Sequence, residues 1–93
     1  MSSIRDAFTL RPHVCTIGGH VVTLRRPSAL DVLEVLAVSR ATPDRVPAWL
    51  VLRHLVENGQ PVFESIEDVL DADGLLVARI AEEAERLYTE GRD

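Results

Sequence analysis

The sequence predicts an α+β fold, mainly α, in which an N-terminal β-hairpin is followed by three main helices and one short helix. Three observations carry that expectation. Two β-prone runs flank Gly18-Gly19 in "HVCTIGGHVVTLR", a dipeptide suited to the positive φ angles of a tight hairpin turn. Ser28, Ser65 and Asp73 each stand before a segment of helical character, as helix N-caps do. The stretch "GLLVARIAEEAERLYTEG" repeats apolar residues at helical spacing. The 93 residues suit one domain, and a chain of this size buries only about 60 to 65% of the surface its unfolded form exposes. Within that domain, residues 1–12 are expected to be a flexible arm, 13–25 the hairpin and 28–91 the helical part.

A two-residue turn at Gly18-Gly19 pairs Ile17 with His20, Cys15 with Val22 and His13 with Leu24, all on one face, leaving Val14, Thr16, Val21 and Thr23 on the other. Two strands alone are marginal in water, so one face must pack against the helices or another chain. In "RRPSALDVLEVLAVSRA", Pro27 ends the strand, Ser28 is the N-cap and Asp31 holds the acidic position three residues on. At 100° per residue Leu30, Val32, Leu33, Leu36 and Ala37 form the main apolar arc, which places Val35 and Val38 on the wetter side near Asp31 and Glu34. Thr42-Pro43-Asp44 breaks this helix. Asp44 can cap the next, where Pro47 is tolerated in the first turn. This second helix is expected to run to about Asn58, with Ala48, Val51, Leu52, Leu55 and Val56 on one arc, Trp49 at its edge and Leu50 among Arg53, His54 and Glu57. Gly59 supplies a left-handed stop.

Pro61 holds Gln60 to Phe63 extended. Ser65 with Asp68 starts a short helix from Ile66 to about Leu70. The last helix, capped by Asp73, lays Leu76, Val77, Ile80, Ala84, Leu87 and Tyr88 along one stripe, pairs Arg79 with Glu83 and Glu82 with Arg86 on its polar face, and ends at Gly91.

Composition excludes several classes of function. No apolar run approaches the roughly 18 residues of a membrane span, and the N-terminus lacks the apolar centre of a signal peptide, so the sequence is read as cytoplasmic, with a single cysteine that agrees. Charge is divided: seven arginines face four acids up to His54, and three face eleven beyond it. All basic residues are arginines. The division can steer a charged partner or align copies head to tail, but it gives no dense basic stripe of the sort that grips phosphates.

Candidate chemistry is sparse. Cys15 with His13 and His20 is the cluster that could ligate a metal, but no fourth ligand is evident and His13 lies at the far end of the strand, so the set is read as a small buried thiol beside two ordinary histidines. Gly18-Gly19 lacks the spacing of a phosphate loop. "DADG" at Asp71 to Gly74 opens like a calcium loop but lacks its later bidentate Glu. Glu82, Glu83 and Glu85 are read as a solvated helix face. No enzyme, cofactor or metal is expected. Interaction remains: Val35, Val38, Leu50 and Leu75 fall outside the core arcs, and with Trp49 the first three are the candidate partner-binding residues.

Two stretches, "VVTLRRPSALDVLEVL" (Val21 to Leu36) and "LVENGQPVFESIEDVLDAD" (Leu55 to Asp73), resemble patterns found in the small tail assembly chaperones of tailed bacteriophages and related prophages. The first is similar to the strand, Leu-Arg-x-Pro and helix start of several such proteins. The second resembles their succession of an apolar helix end, an acid, Gly, an aliphatic-Phe pair, a short acidic helix and a last helix. The hairpin departs from members that are almost wholly helical. The resemblance implies a non-enzymatic protein of the host bacterial cytoplasm, absent from the mature virion. It would bind the tape measure protein, keep it soluble and promote tail tube assembly, with the tail tube protein as a further partner and homo-oligomers as a possible form. It also implies the short member of a pair whose longer form arises by frameshifting. The alternative is a small nucleic-acid-binding regulatory or antitoxin-like protein that uses Arg11, Arg25 and Arg26 around the hairpin.

Overall fold

A computed structural model of the chain describes residues 4–89. Its strands are β1 (His13–Ile17), β2 (His20–Leu24), β3 (Leu55–Glu57) and β4 (Gln60–Pro61). Its helices are α1 (Ala29–Ala41), α2 (Val46–His54), α3 (Ile66–Leu70) and α4 (Gly74–Thr89). Ile4–Phe8, where an arm was expected, is a 3-10 helix with no buried residue. The expected stop at Gly91 lies outside the described residues.

The first hairpin has the expected register, with Ile17 opposite His20, Cys15 opposite Val22 and His13 opposite Leu24. Gly18 and Gly19 take φ of 58° and 81°, the positive pair that a type I′ turn demands. The sheet, however, has four antiparallel strands in the order β1-β2-β3-β4, not two. Helix α2 stops at His54, well before Asn58. Leu55 turns extended (φ −73°, ψ 120°) and pairs with Leu24, while Val56 pairs with Thr23. Asn58 (φ 54°) and Gly59 (φ 78°) are therefore the centre of a second tight hairpin turn and not a helix stop. Asn-Gly is the favoured dipeptide for such a turn, because both residues tolerate positive φ. Pro61 fits β4 because an edge strand can do without one amide donor.

Asp44 does not cap α2. Pro43–Arg45 forms a 3-10 turn, and α2 begins after Arg45 with no side-chain cap. The other three caps form as expected. Ser28 Oγ accepts from the Asp31 amide (3.2 Å) and Asp31 Oδ2 accepts from the Ser28 amide (2.9 Å). Ser65 Oγ accepts from the Asp68 amide (3.2 Å) and Asp73 Oδ1 from the Leu76 amide (3.0 Å).

The core consists of Leu24, Ala48, Leu50, Val51, Leu55, Val69, Ile80, Ala81 and Ala84. It lies where α2 is enclosed by the sheet, α3 and α4. Because α2 has neighbours on several sides, Leu50, expected on its polar face, is 2% exposed. His54 is also fully buried. Its Nδ1 stands 2.6 Å from the carbonyl oxygen of Arg25, which can only accept, so Nδ1 carries the proton and Nε2 accepts from the Tyr88 hydroxyl at 2.5 Å. The Arg25 amide in turn donates to the His54 carbonyl (2.8 Å), and the reciprocal pair ties the end of β2 to the end of α2. Burial pushes the His54 imidazole below its ordinary value and the Tyr88 phenol above its own, which keeps both neutral in the core.

Candidate functional site

Helix α1 is turned the opposite way from its apolar arc. Leu30, Val32, Leu33 and Leu36 are 59%, 44%, 65% and 50% exposed, whereas Asp31 is 1% exposed and Val35 packs against the core. Apolar residues occur on every side of this helix, so hydrophobicity alone does not select a face. Ionic contacts select it. Arg25 grips Asp31 with both guanidinium nitrogens, Nη1 at 2.9 Å from Oδ2 and Nη2 at 3.1 Å from Oδ1. Arg53 adds Nε at 3.4 Å from Asp31 Oδ1 and also pairs with Glu34. Burial acts to raise the Asp31 carboxyl, but the hydrogen bonds from Arg25 and Ser28 outweigh it and hold the group below its ordinary value. Asp31 thus joins the capping box to the end of β2 and to α2, and once it points inward the arc containing Leu33 must point out.

Beside that arc lies a groove of about 540 Å³. Leu30 and Asp31 of α1, Trp49, Leu52 and Arg53 of α2, and Pro61, Phe63 and Glu64 of the following crossing line it. The Arg53 guanidinium sits 5.3 Å from the centroid of the Trp49 ring, close enough for a cation–π contact, and Trp49 is half-buried. The groove and the exposed face of α1 share Leu30, so they make one continuous apolar surface with an ionic floor.

The four expected partner-binding residues are therefore redistributed. Trp49 lines the groove. Val35 and Val38 are half-buried on the inner side of α1, and Leu50 is in the core, where no partner can reach it. Leu30, Val32, Leu33 and Leu36, assigned to the core by periodicity, hold the exposed positions instead. Local sequence carried no signal for this choice beyond the Ser28/Asp31 box itself, because Arg53, which fixes the face together with Arg25, comes from α2.

The chain matches no family model, curated protein or solved structure.

Other chemistry-bearing residues take ordinary positions, apart from one cluster. Asp73 of "DADG" caps α4, and Glu82 and Glu85 are exposed. His20 is exposed at the turn, away from Cys15's other neighbours. Glu83 of α4 takes its place: His13 Nε2 is 2.7 Å from Glu83 Oε2, and Arg86 Nη1 is 2.9 Å from Glu83 Oε1. Glu83 thus pairs with His13 across the fold, where the sequence pairs it with Arg79. The hydrogen bond from His13 holds the Glu83 carboxyl below its ordinary value, against the opposing effect of burial and with further help from Arg86. Burial, then the charge of Glu83, push the Cys15 thiol up, which makes it a poor free nucleophile.

Proposed function

We propose that this chain is a non-enzymatic phage tail assembly chaperone whose α1 face and adjoining groove cover apolar helical stripes of the tape measure protein in the host cytoplasm. The observation that carries the reading is the outward apolar arc of α1. Its four aliphatic side chains expose on the order of 400 Å², a patch size that on small proteins often marks an interaction site. A helix laid beside α1 would place its own apolar stripe on Leu30, Leu33 and Leu36, in the helix-in-groove manner. That area is about half of the roughly 800 Å² that each partner buries in a standard stable interface, which places the contact among weak, transient ones. Weak, reversible capture suits a protein that must release its client. The resemblance of Val21 to Leu36 and Leu55 to Asp73 to tail assembly chaperones supplies the identity of that client.

The nucleic-acid alternative is not favoured, because Arg25 and Arg53 are committed to Asp31 and Glu34 and Arg26 shares a small hollow with Asp6. Co-expression of the tape measure protein with the wild-type chain and with Leu33→Asp or Leu36→Asp tests the proposal. Soluble tape measure protein is expected with the first and is expected to fall severalfold with the others. Equal solubility in all three would reject this surface. Leu50→Asp does not serve, since it places a charge in the core.

A further inference from the structure

Sheet and α4 meet through three side chains of metal-ligand type. His13 and Cys15 stand two residues apart on β1 and so share a face, and Glu83 reaches them from α4, 70 positions from His13. One ligand atom from each, a histidine ring nitrogen, the cysteine Sγ and a carboxylate oxygen, all lie within 4.8 Å of one another. Ligands held at 2.0 to 2.3 Å around a tetrahedral zinc ion are about 3.3 to 3.7 Å apart. Side-chain shifts of about 1 Å therefore bring all three onto one ion.

We propose that His13, Cys15 and Glu83 form a site for Zn²⁺ that staples the edge strand β1 to α4. The donor set selects this class of cation: one nitrogen, one sulfur and one oxygen suit zinc, whereas magnesium and calcium take oxygen ligands. Charge also matches, since the thiolate and the carboxylate offset the two positive charges of the ion, the thiol proton passing to solvent on binding. Arg86 holds Glu83 Oε1 and leaves Oε2 turned toward His13, the kind of outer partner that orients a metal-binding carboxylate. All three ligands are half-buried, so the site is sheltered yet open to solvent at a fourth position for water. The location gives the ion a structural task. Among the described residues β1 pairs only with β2, and a cross-link from residue 13 to residue 83 closes most of the chain into one loop in a domain with a modest core.

The test uses tag-free full-length protein and its single cysteine. One equivalent of Zn²⁺ is expected to slow the reaction of Cys15 with a thiol reagent at least tenfold in the wild type and in His20→Ala, and to leave the rate unchanged in His13→Gln and Glu83→Gln. Co²⁺ is expected to give a thiolate charge-transfer absorption that Cys15→Ser lacks while keeping the wild-type circular dichroism. Equal protection in wild type and Glu83→Gln, or no protection in the wild type at 100 µM Zn²⁺, would overturn the assignment.

Discussion

Replacing Asp31 by Ala and, separately, Leu33 by Ala distinguishes the orientation of α1 in this structure from the one that apolar periodicity favours. Asp31 is 1% exposed and takes part in both the capping box and the Arg25–Arg53 cluster. Alanine keeps the backbone amide that donates to Ser28 Oγ and loses only the carboxylate's bond from the Ser28 amide, at a cost of about 1 kcal/mol. Breaking a buried ion pair costs about 3 to 5 kcal/mol when the abandoned partner stays buried, but the Arg25 and Arg53 side chains are 36% and 32% exposed and can hydrate, which lowers that share. The sum is about 2 to 4 kcal/mol, a large part of the roughly 5 to 15 kcal/mol that stabilises a domain. Leu33 is 65% exposed, so its truncation costs about 0.5 kcal/mol or less. With a urea slope of about 1 to 1.5 kcal/mol/M for a chain of this size, Asp31→Ala lowers the unfolding midpoint by roughly 2 M and Leu33→Ala by less than about 0.5 M. The reverse order, with Leu33→Ala costing the 2 to 5 kcal/mol of a core leucine and Asp31→Ala nearly neutral, would refute the orientation.

Other outcomes follow from the same contacts. Because the folded His54 imidazole is held below the value it has in the unfolded chain, its contribution is complete above about pH 6.5 and is lost as pH falls below that. Urea midpoints measured from pH 8 to 5 are expected to decline in the wild type and to decline less in His54→Gln. The Asp31 contribution, from a depressed carboxyl, persists through that window and fails only below about pH 4. Tyr88→Phe leaves the buried His54 Nε2 without its donor and is expected to cost about 1 to 3 kcal/mol in denaturant titration. Gly59→Ala puts a Cβ on a residue at φ 78° with open space around it, so the cost, about 1 kcal/mol, is backbone strain alone; a neutral result would mean that this turn is not formed.

Much of the fold was legible in the sequence, and the failures share a cause. The first hairpin, its register, three of the four proposed caps and the α4 stripe rest on local chemistry: Gly-Gly at positive φ, hydroxyl or carboxylate oxygens on first-turn amides, and apolar spacing contrasted with clear polar positions. Where apolar residues surround a helix, as in α1 and α2, spacing carries no direction. Long-range partners then decide, and Asp31 pointing inward and Leu50 buried by α3, α4 and the sheet could not be seen from their neighbours in sequence. In "NGQPVFESIEDVL" Gly59 reads as a helix stop, but the pairing of Val56 with Thr23 and with Pro61 ends α2 early and makes Asn58-Gly59 a hairpin turn. The faces of the candidate site are exchanged relative to the sequence reading: half-buried Trp49 lines the groove, Leu50 is in the core, and the exposed apolar positions are those that periodicity assigns to the core. Glu83 beside His13 and Cys15 was equally invisible, since nothing local links β1 to α4.

Hydrogen exchange of the chain with and without tape measure protein tests whether the outward face of α1 and its groove receive an apolar helical client. Added protection is expected in α1 and across Pro61 to Glu64, with little change in the outer hairpin strand β1. Protection confined to the hairpin, with exchange in α1 unchanged by a bound client, would contradict that docking.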